Sequence, residues 1–198
     1  MKNFLIFNLL FLSALVIFRH SFKTFFAQDD FILITQFSSN SLAQDVKNAL
    51  GKPDVTHWRP VHNLYFLLSG NLFEKNYHLY HLLTFGTHIL AGYGVYRVAK
   101  YIFKKELPAI FAGFLYVVNP LHFVSLFWIS GSAGTIGFCF FIWSFYLYLK
   151  KKFNYSVILF ALSLLASEAM LVGTIIFLLY DFFLSGRKIN LRHLISVG

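Results

Sequence analysis

The sequence predicts an all-α fold, a polytopic bundle of about six membrane-spanning helices with one long extracytoplasmic first loop. Three observations carry that expectation. Apolar residues make up 58% of the 198-residue chain and charged residues only 13%, against roughly 45–50% and 25% in ordinary globular proteins. Aromatics reach 20%, with 26 Phe and 11 Tyr, and mean hydropathy is +0.64. The basic runs Lys104-Lys105, Lys150-Lys151-Lys152 and Arg187-Lys188 each sit directly at the end of an apolar run, where the positive-inside rule puts them. That placement also accounts for the net charge of +9. Nucleic acid is not an expected partner, because no basic face with interleaved polar readers is present. The one cysteine, Cys139, lies inside an apolar run and rules out an intrachain disulfide framework.

The first span is expected over about 4–24. Lys2 precedes an apolar core from Phe4 to Phe18, which as a helix covers only about 22 Å of a ~30 Å hydrocarbon layer. Phe22, Phe25 and Phe26, with Arg19 and Lys23 snorkelling, extend it. No small-x-small cleavage site follows, so a retained anchor is expected rather than a signal peptide.

Residues 25–76 form the extracytoplasmic loop. Ser41-Leu42-Ala43-Gln44 fits a capping box, with Ser41 as N-cap and Gln44 reaching back. Leu42, Val46, Ala49 and Leu50 recur at helical spacing, and Gly51 with Pro53 ends the helix. This short amphipathic helix lies on the membrane surface or packs on the rest of the loop. The stretch from Asn63 to Leu72 is apolar but too short to cross.

A second span runs over 77–99 and carries His78, His81 and His88. His81 and His88 are seven residues apart and share one helix face, which suits a buried polar seam or, less simply, a metal or haem ligand set. The 43 residues from Leu107 to Leu149 are about twice too long for one crossing. Asn119-Pro120 must break them, giving spans over 107–119 and 135–149 with a loop from His122 to Gly134. One helix from Asn154 to Leu184 would bury Glu168 at mid-membrane. Two spans, 154–166 and 169–184, meeting at Ser167-Glu168 avoid that cost. Charge parity then puts both termini and the tail 185–198 in the cytoplasm. The tail ends 14 residues after the last span, which suggests a partial chain.

Polar residues gather in the first loop. Gln28-Asp29-Asp30-Phe31 follows the first span, and Trp58-Arg59-Pro60-Val61-His62-Asn63 closes the loop, with His57 just before. Two adjacent carboxylates repel when both are ionised, which suits one of them to accept a proton. A pair of carboxylates also orients a divalent metal. Arg59 offers a forked donor to phosphate, and His57, His62, His81 and His122 are further donors. The plainer alternatives are an acidic turn capping a helix that starts near Phe31 and a snorkelling Arg59.

This arrangement resembles the GT-C superfamily of membrane glycosyltransferases, and within it the protein O-mannosyltransferase and TMTC-like branch with its bacterial relatives. Asp29-Asp30 matches that family's acidic pair in the first outer loop, and Trp58-Arg59-Pro60 its Y/W-R-P element. His81 and His88 match an H-x-x-N-x-x-x-H element in which Thr84 replaces the usual Asn. Pro120, His122, Trp128, Ile129, Ser130 and Gly131 match a P-x-H-x-x-x-x-x-W-I-S-G segment, and Ser167-Glu168 stands where a lysine-glutamate pair is usual. Two cations of the pattern are missing: Ser132-Ala133-Gly134 replaces R-x-D, and Ser167 replaces the lysine.

The resemblance implies transfer of a sugar from a polyprenyl-phosphate-linked donor to an extracytoplasmic protein or glycan acceptor by a multi-pass protein of the cytoplasmic membrane. Asp29 and Asp30 would be catalytic, with a possible ligand role toward Mg or Mn. Arg59, His62, His81 and His122 would bind the donor phosphate, supported by Trp58, His57, His88 and Glu168. Relatives are usually longer, so a partner chain or further sequence would supply the acceptor side. The alternative is a non-catalytic membrane module or truncated relative that binds lipid-linked carriers or a partner subunit.

Overall fold

The computed structural model describes residues 2–36, 41–51 and 58–184. They are helical, with no strand among them. α1 (Lys2–Phe18) runs into a 3-10 turn, Arg19–Lys23. The outer segment contains α2 (Asp29–Gln36), α3 (Leu42–Leu50) and α4 (Pro60–Phe73). The remaining chain is α5 (Tyr77–Phe103), α6 (Glu106–Val118), α7 (Phe123–Phe127), α8 (Ala133–Leu149), α9 (Phe153–Ala166) and α10 (Gly173–Phe183).

By length and composition, two helices can cross a membrane: the continuous helical stretches Lys2–Lys23 and Ile129–Leu149. A third crossing exists if Glu106–Val118 and Pro120–Phe127, bent by 41°, act as one. α5 is long enough at 27 residues, about 40 Å, but its histidines, Arg97 and Lys100 dilute its apolar character. α9 and α10, with 14 and 11 residues, are short of the ~20 a crossing takes. The described structure thus supports two or three candidate spans by this measure.

The helix breaks have local causes. Asn119 is extended (φ −66°, ψ 123°) ahead of Pro120, and its Oδ1 accepts the Leu121 N–H at 3.0 Å. Ser167 is also extended (φ −158°, ψ 123°) between α9 and the 3-10 turn Glu168–Val172. The stretch from His122 to Gly134 is not the loop expected of it. α7 lies between the 3-10 turns Pro120–His122 and Ile129–Ser132, and the second runs directly into α8. The described residues of 25–76 hold three helices: α3, α2 where the acidic-turn alternative starts a helix, and α4, which is not expected there from sequence. Phe26, Ala49, Phe66, Leu67, Tyr80 and Ile129 form their common core.

α3 combines both readings of its sequence. Ala49 is buried and Val46 packs with α4, whereas Leu42 and Leu50 stay exposed. Ser41 caps it by accepting the Gln44 N–H at 3.3 Å. The Gln44 side chain does not reach back; it donates forward to Asn48 at 2.9 Å. Pro53 lies outside the described residues.

Three contacts fix the frame behind the site. On α1, Ile6, Leu10, Ala14 and Phe18 recur every fourth residue and are buried against α5 and α6, while Phe4, Leu5, Leu12 and Val16 face outward. α5 and α6 touch through small residues: a Cβ on Gly92 would sit 2.2 Å from Val117 Cγ1, the close approach common between packed membrane helices. α8 and α9 are joined by a reciprocal pair, Ser144 Oγ donating to Ser156 O at 2.7 Å and Ser156 Oγ to Ser144 O at 2.9 Å.

Candidate functional site

The acidic pair divides into two different residues. Asp30 is 1% exposed. Its Oδ2 accepts the Ala27 N–H at 3.0 Å, while the Asp30 N–H donates to Ala27 O at 3.0 Å, the reciprocal geometry of a helix start. Its Oδ1 accepts the Ser130 N–H at 2.7 Å, across 100 residues of sequence. Asp30 therefore pins the head of α2 to the segment before α8. Asp29, one residue earlier, is exposed and has no hydrogen-bond or ion-pair partner among the described residues. The turn that leads into both begins at Gln28, whose φ of 48° lies in the left-handed region.

Asp29 opens on a cavity of about 640 Å³. Ile32, Leu33 and Gln36 of α2 form one wall; Arg59, His62 and Asn63 form the second; Trp128, Ser130, Gly131, Ala133, Gly134 and Ser167 close it. Pro60 at the first position of α4 sets that helix so that Arg59 and His62 face the cavity. Gly134 leaves open space where a Cβ would project.

Arg59 is not a free guanidinium. Its Nε and Nη2 donate to the two carboxylate oxygens of Glu168 at 2.8 and 2.5 Å, and this pairing raises the Arg59 pKa further above its ordinary value. Three of the five N–H donors of a guanidinium remain for a ligand. His62 is 4% exposed and within 3.2 Å of Ser132 Oγ. Burial first, and the Arg59 charge second, push its pKa down to about 3, so the ring is neutral near pH 7. Asn63 is spent on structure, donating to Ala49 O at 3.2 Å. Trp58 is spent likewise: its indole N–H lies 3.0 Å from Gly51 O and 3.3 Å from Leu50 O, closing the end of α3.

The remaining histidines are placed elsewhere. His81 is buried with Nδ1 3.0 Å from Leu126 O and Nε2 2.9 Å from Thr24 O. His88 is fully buried, Nε2 3.1 Å from Val117 O, and its ring lies 4.6 Å from that of His122 and 5.3 Å from Tyr116. His81 and His88 do share a face, as their spacing requires, and that face is a polar seam against α6 and α7. Neither these two nor His122 lines the Asp29 cavity, so their assignment to donor phosphate is not met by direct contact. His57 lies outside the described residues. Among the described residues no cluster of three His, Cys, Asp or Glu is arranged to hold a metal.

The structure adds residues that the sequence did not single out for the site. Trp128 Nε1 and Ser130 Oγ are buried, make no hydrogen bond among the described residues, and belong to residues lining the cavity. Unspent donors of this kind are uncommon in native proteins. Ser132 is the partner of His62. The W-I-S-G match is the one sequence signal for these, and it carries no chemistry until the 3-10 turn Ile129–Ser132 is set against α4 through His62 and Ser132.

No protein-family model, no curated protein and no solved structure matches this chain.

Proposed function

We propose that this chain is an integral-membrane glycosyltransferase of GT-C type that takes its sugar from a polyprenyl-phosphate-linked donor, with Asp29 as the general base. The observation that carries the reading is the asymmetry of the acidic pair. Asp30 is fixed by backbone donors, and that fixes Asp29, without a partner among the described residues, at the mouth of a cavity that is also lined by Arg59, Ser130 and Trp128. In the reaction an acceptor hydroxyl attacks the anomeric carbon, Asp29 takes its proton, and the sugar–phosphate bond breaks with its electron pair leaving on the phosphate. The free donors of Arg59 meet that developing charge. The neutral ring of His62 holds the Ser132 side of the cavity without adding charge.

A divalent ion bridging both aspartates would have to displace the two backbone donors of Asp30. A single-carboxylate site at Asp29, completed by the donor phosphate, suits Mg or Mn better. The six-span, multi-pass topology belongs to the same proposal. It puts the Asp29 cavity on the extracytoplasmic side, because Lys104, Lys105 and Lys150 to Lys152 gather at the other end of α5 and α8. The protein or glycan acceptor would be held by sequence or a partner chain outside the described helices.

One observation favours a second reading, a non-catalytic carrier-binding module: Glu168 already neutralises Arg59. One assay separates the two. The full chain is reconstituted in vesicles with a panel of polyprenyl-phosphate-linked hexoses, and release of lipid phosphate is followed for the native protein and Asp29→Asn. Turnover lost in the variant, with donor binding kept, supports the transferase. Donor binding without turnover in either protein identifies the module, and equal turnover in both removes Asp29 from the mechanism.

A further inference from the structure

At the far end of α8 lies a second cavity, of about 280 Å³, lined by Asn3, Arg97, Lys100, Tyr101, Lys104, Tyr146 and Lys150. We infer that it is an anion site that takes a phosphate group, supplied either by an anionic lipid headgroup or by a soluble phosphate. Four cations from α5, the α5–α6 turn and the end of α8 converge on one small volume. Like charges so placed repel, and ordinary membrane-end lysines avoid that by splaying outward.

The charges here are held by aromatic groups. Arg97 Nη2 donates to the Tyr146 hydroxyl at 2.5 Å and Nη1 to the Tyr93 hydroxyl at 3.3 Å, with the guanidinium 4.9 Å from the Tyr146 ring centre. Lys104 Nζ lies 3.9 Å from the centre of the Tyr101 ring, and Lys150 Nζ lies 5.1 Å from the same ring. Among the described residues Lys100 alone of the four has a carboxylate, Glu106 Oε2 at 3.0 Å, which it shares with Lys2. Arg97, Lys104 and Lys150 have no carboxylate partner among the described residues. Hydroxyls and ring faces orient these cations but leave their charge uncancelled.

Backbone geometry points the same way. Lys104 closes α5 in the left-handed region, φ 56° and ψ 12°, where glycine is the usual occupant. That conformation turns the chain between α5 and α6 and sets the Lys104 side chain at the cavity rim. The volume holds a phosphate group with several waters, since a water occupies about 30 Å³ of liquid.

The test uses the purified full chain in uncharged detergent. Retention of dioleoylphosphatidylglycerol against dioleoylphosphatidylcholine is measured by native mass spectrometry, with inorganic pyrophosphate as competitor. The variants are Lys104→Gln with Lys150→Gln, both exposed at the cavity rim, and Arg97→Gln; Lys23→Gln with Lys75→Gln, at the opposite end, is the charge-matched control. Thermal melting verifies that each variant is folded. The anionic lipid should be retained over the zwitterionic one, and each cavity charge removed should weaken retention about fivefold. Displacement by pyrophosphate would assign the site to soluble phosphates; retention in its presence would assign it to a headgroup. Equal retention of both lipids with no pyrophosphate binding, or a loss in the control as large as in the cavity variants, would overturn the inference.

Discussion

The two ends of α8, a 17-residue helix about 25 Å long, treat charge in opposite ways. At its start, charges are matched almost one to one: Glu168 takes Arg59, two backbone N–H groups take Asp30, and Asp29 is left without a partner among the described residues. At its end, Arg97, Lys104 and Lys150 rest on tyrosines instead. A site built for chemistry needs one group singled out from a neutralised setting, because only then is its proton affinity governed by the reacting partner. A site built to hold an anion needs the reverse, several cations with nothing to cancel them. The difference separates a candidate reaction centre from a candidate anchor.

The largest effect expected is at Asp29. Asp29→Asn should lower transfer by about 10²- to 10⁴-fold, the range for loss of a general base, with the melting temperature unchanged because the exposed side chain has no partner among the described residues. Rates within a fewfold of native would leave the first end of α8 as structure only.

Asp30→Ala is expected to fail differently. It strands the Ala27 and Ser130 N–H groups, each costing roughly 1–3 kcal/mol when buried, so stability should fall by about 3 kcal/mol. Chemical denaturation in detergent measures this, and urea-resistant variants with native activity would show that the pair is not divided as described. Asp30→Asn, which keeps one acceptor oxygen, should lose less.

His62 gives a pH signature. Its pKa is about 3 in the folded protein against about 6.5 in an unfolded chain. The unfolded state therefore binds more protons below pH 6.5, and stability present above that pH is lost as the pH falls toward 3. Between pH 7.5 and pH 5 this group alone should remove about 2 kcal/mol. His62→Gln should flatten the dependence of melting temperature on pH in that window; an unaltered slope would mean that the ring is hydrated and His62 does not wall the cavity.

Much of this was legible in sequence where a residue type forces the backbone. Asn119-Pro120 and Ser167-Glu168 break their helices where expected, because proline and an isolated acid in an apolar run leave few alternatives. His81 and His88 share a face because helical geometry allows nothing else. What sequence could not show is which neighbour satisfies which group. Asp29 and Asp30 look alike as adjacent carboxylates, and burial together with the Ala27 N–H and the distant Ser130 N–H distinguishes them. Glu168 reads in sequence as a supporting residue, yet it occupies two donors of the Arg59 fork. His122 sits near the site in the motif but turns to Tyr116 and His88 in space.

Glu168→Gln offers the smallest change in stability and the finest probe of the contrast. The pair is bidentate, but Glu168 is 53% exposed, and pairs at that exposure contribute within about 1 kcal/mol. Removing the charge leaves Arg59 in the condition of Arg97, a cation with polar neighbours and no carboxylate. Binding of a polyprenyl phosphate to the Asp29 cavity should then tighten, because the guanidinium no longer exchanges one anion for another. Turnover should fall at the same time if the released phosphate dissociates slowly from the uncompensated arginine. Binding that weakens instead would show that Glu168 orients Arg59 for the ligand rather than competing with it. In that case the neutralised setting at this end of α8 is itself part of phosphate recognition.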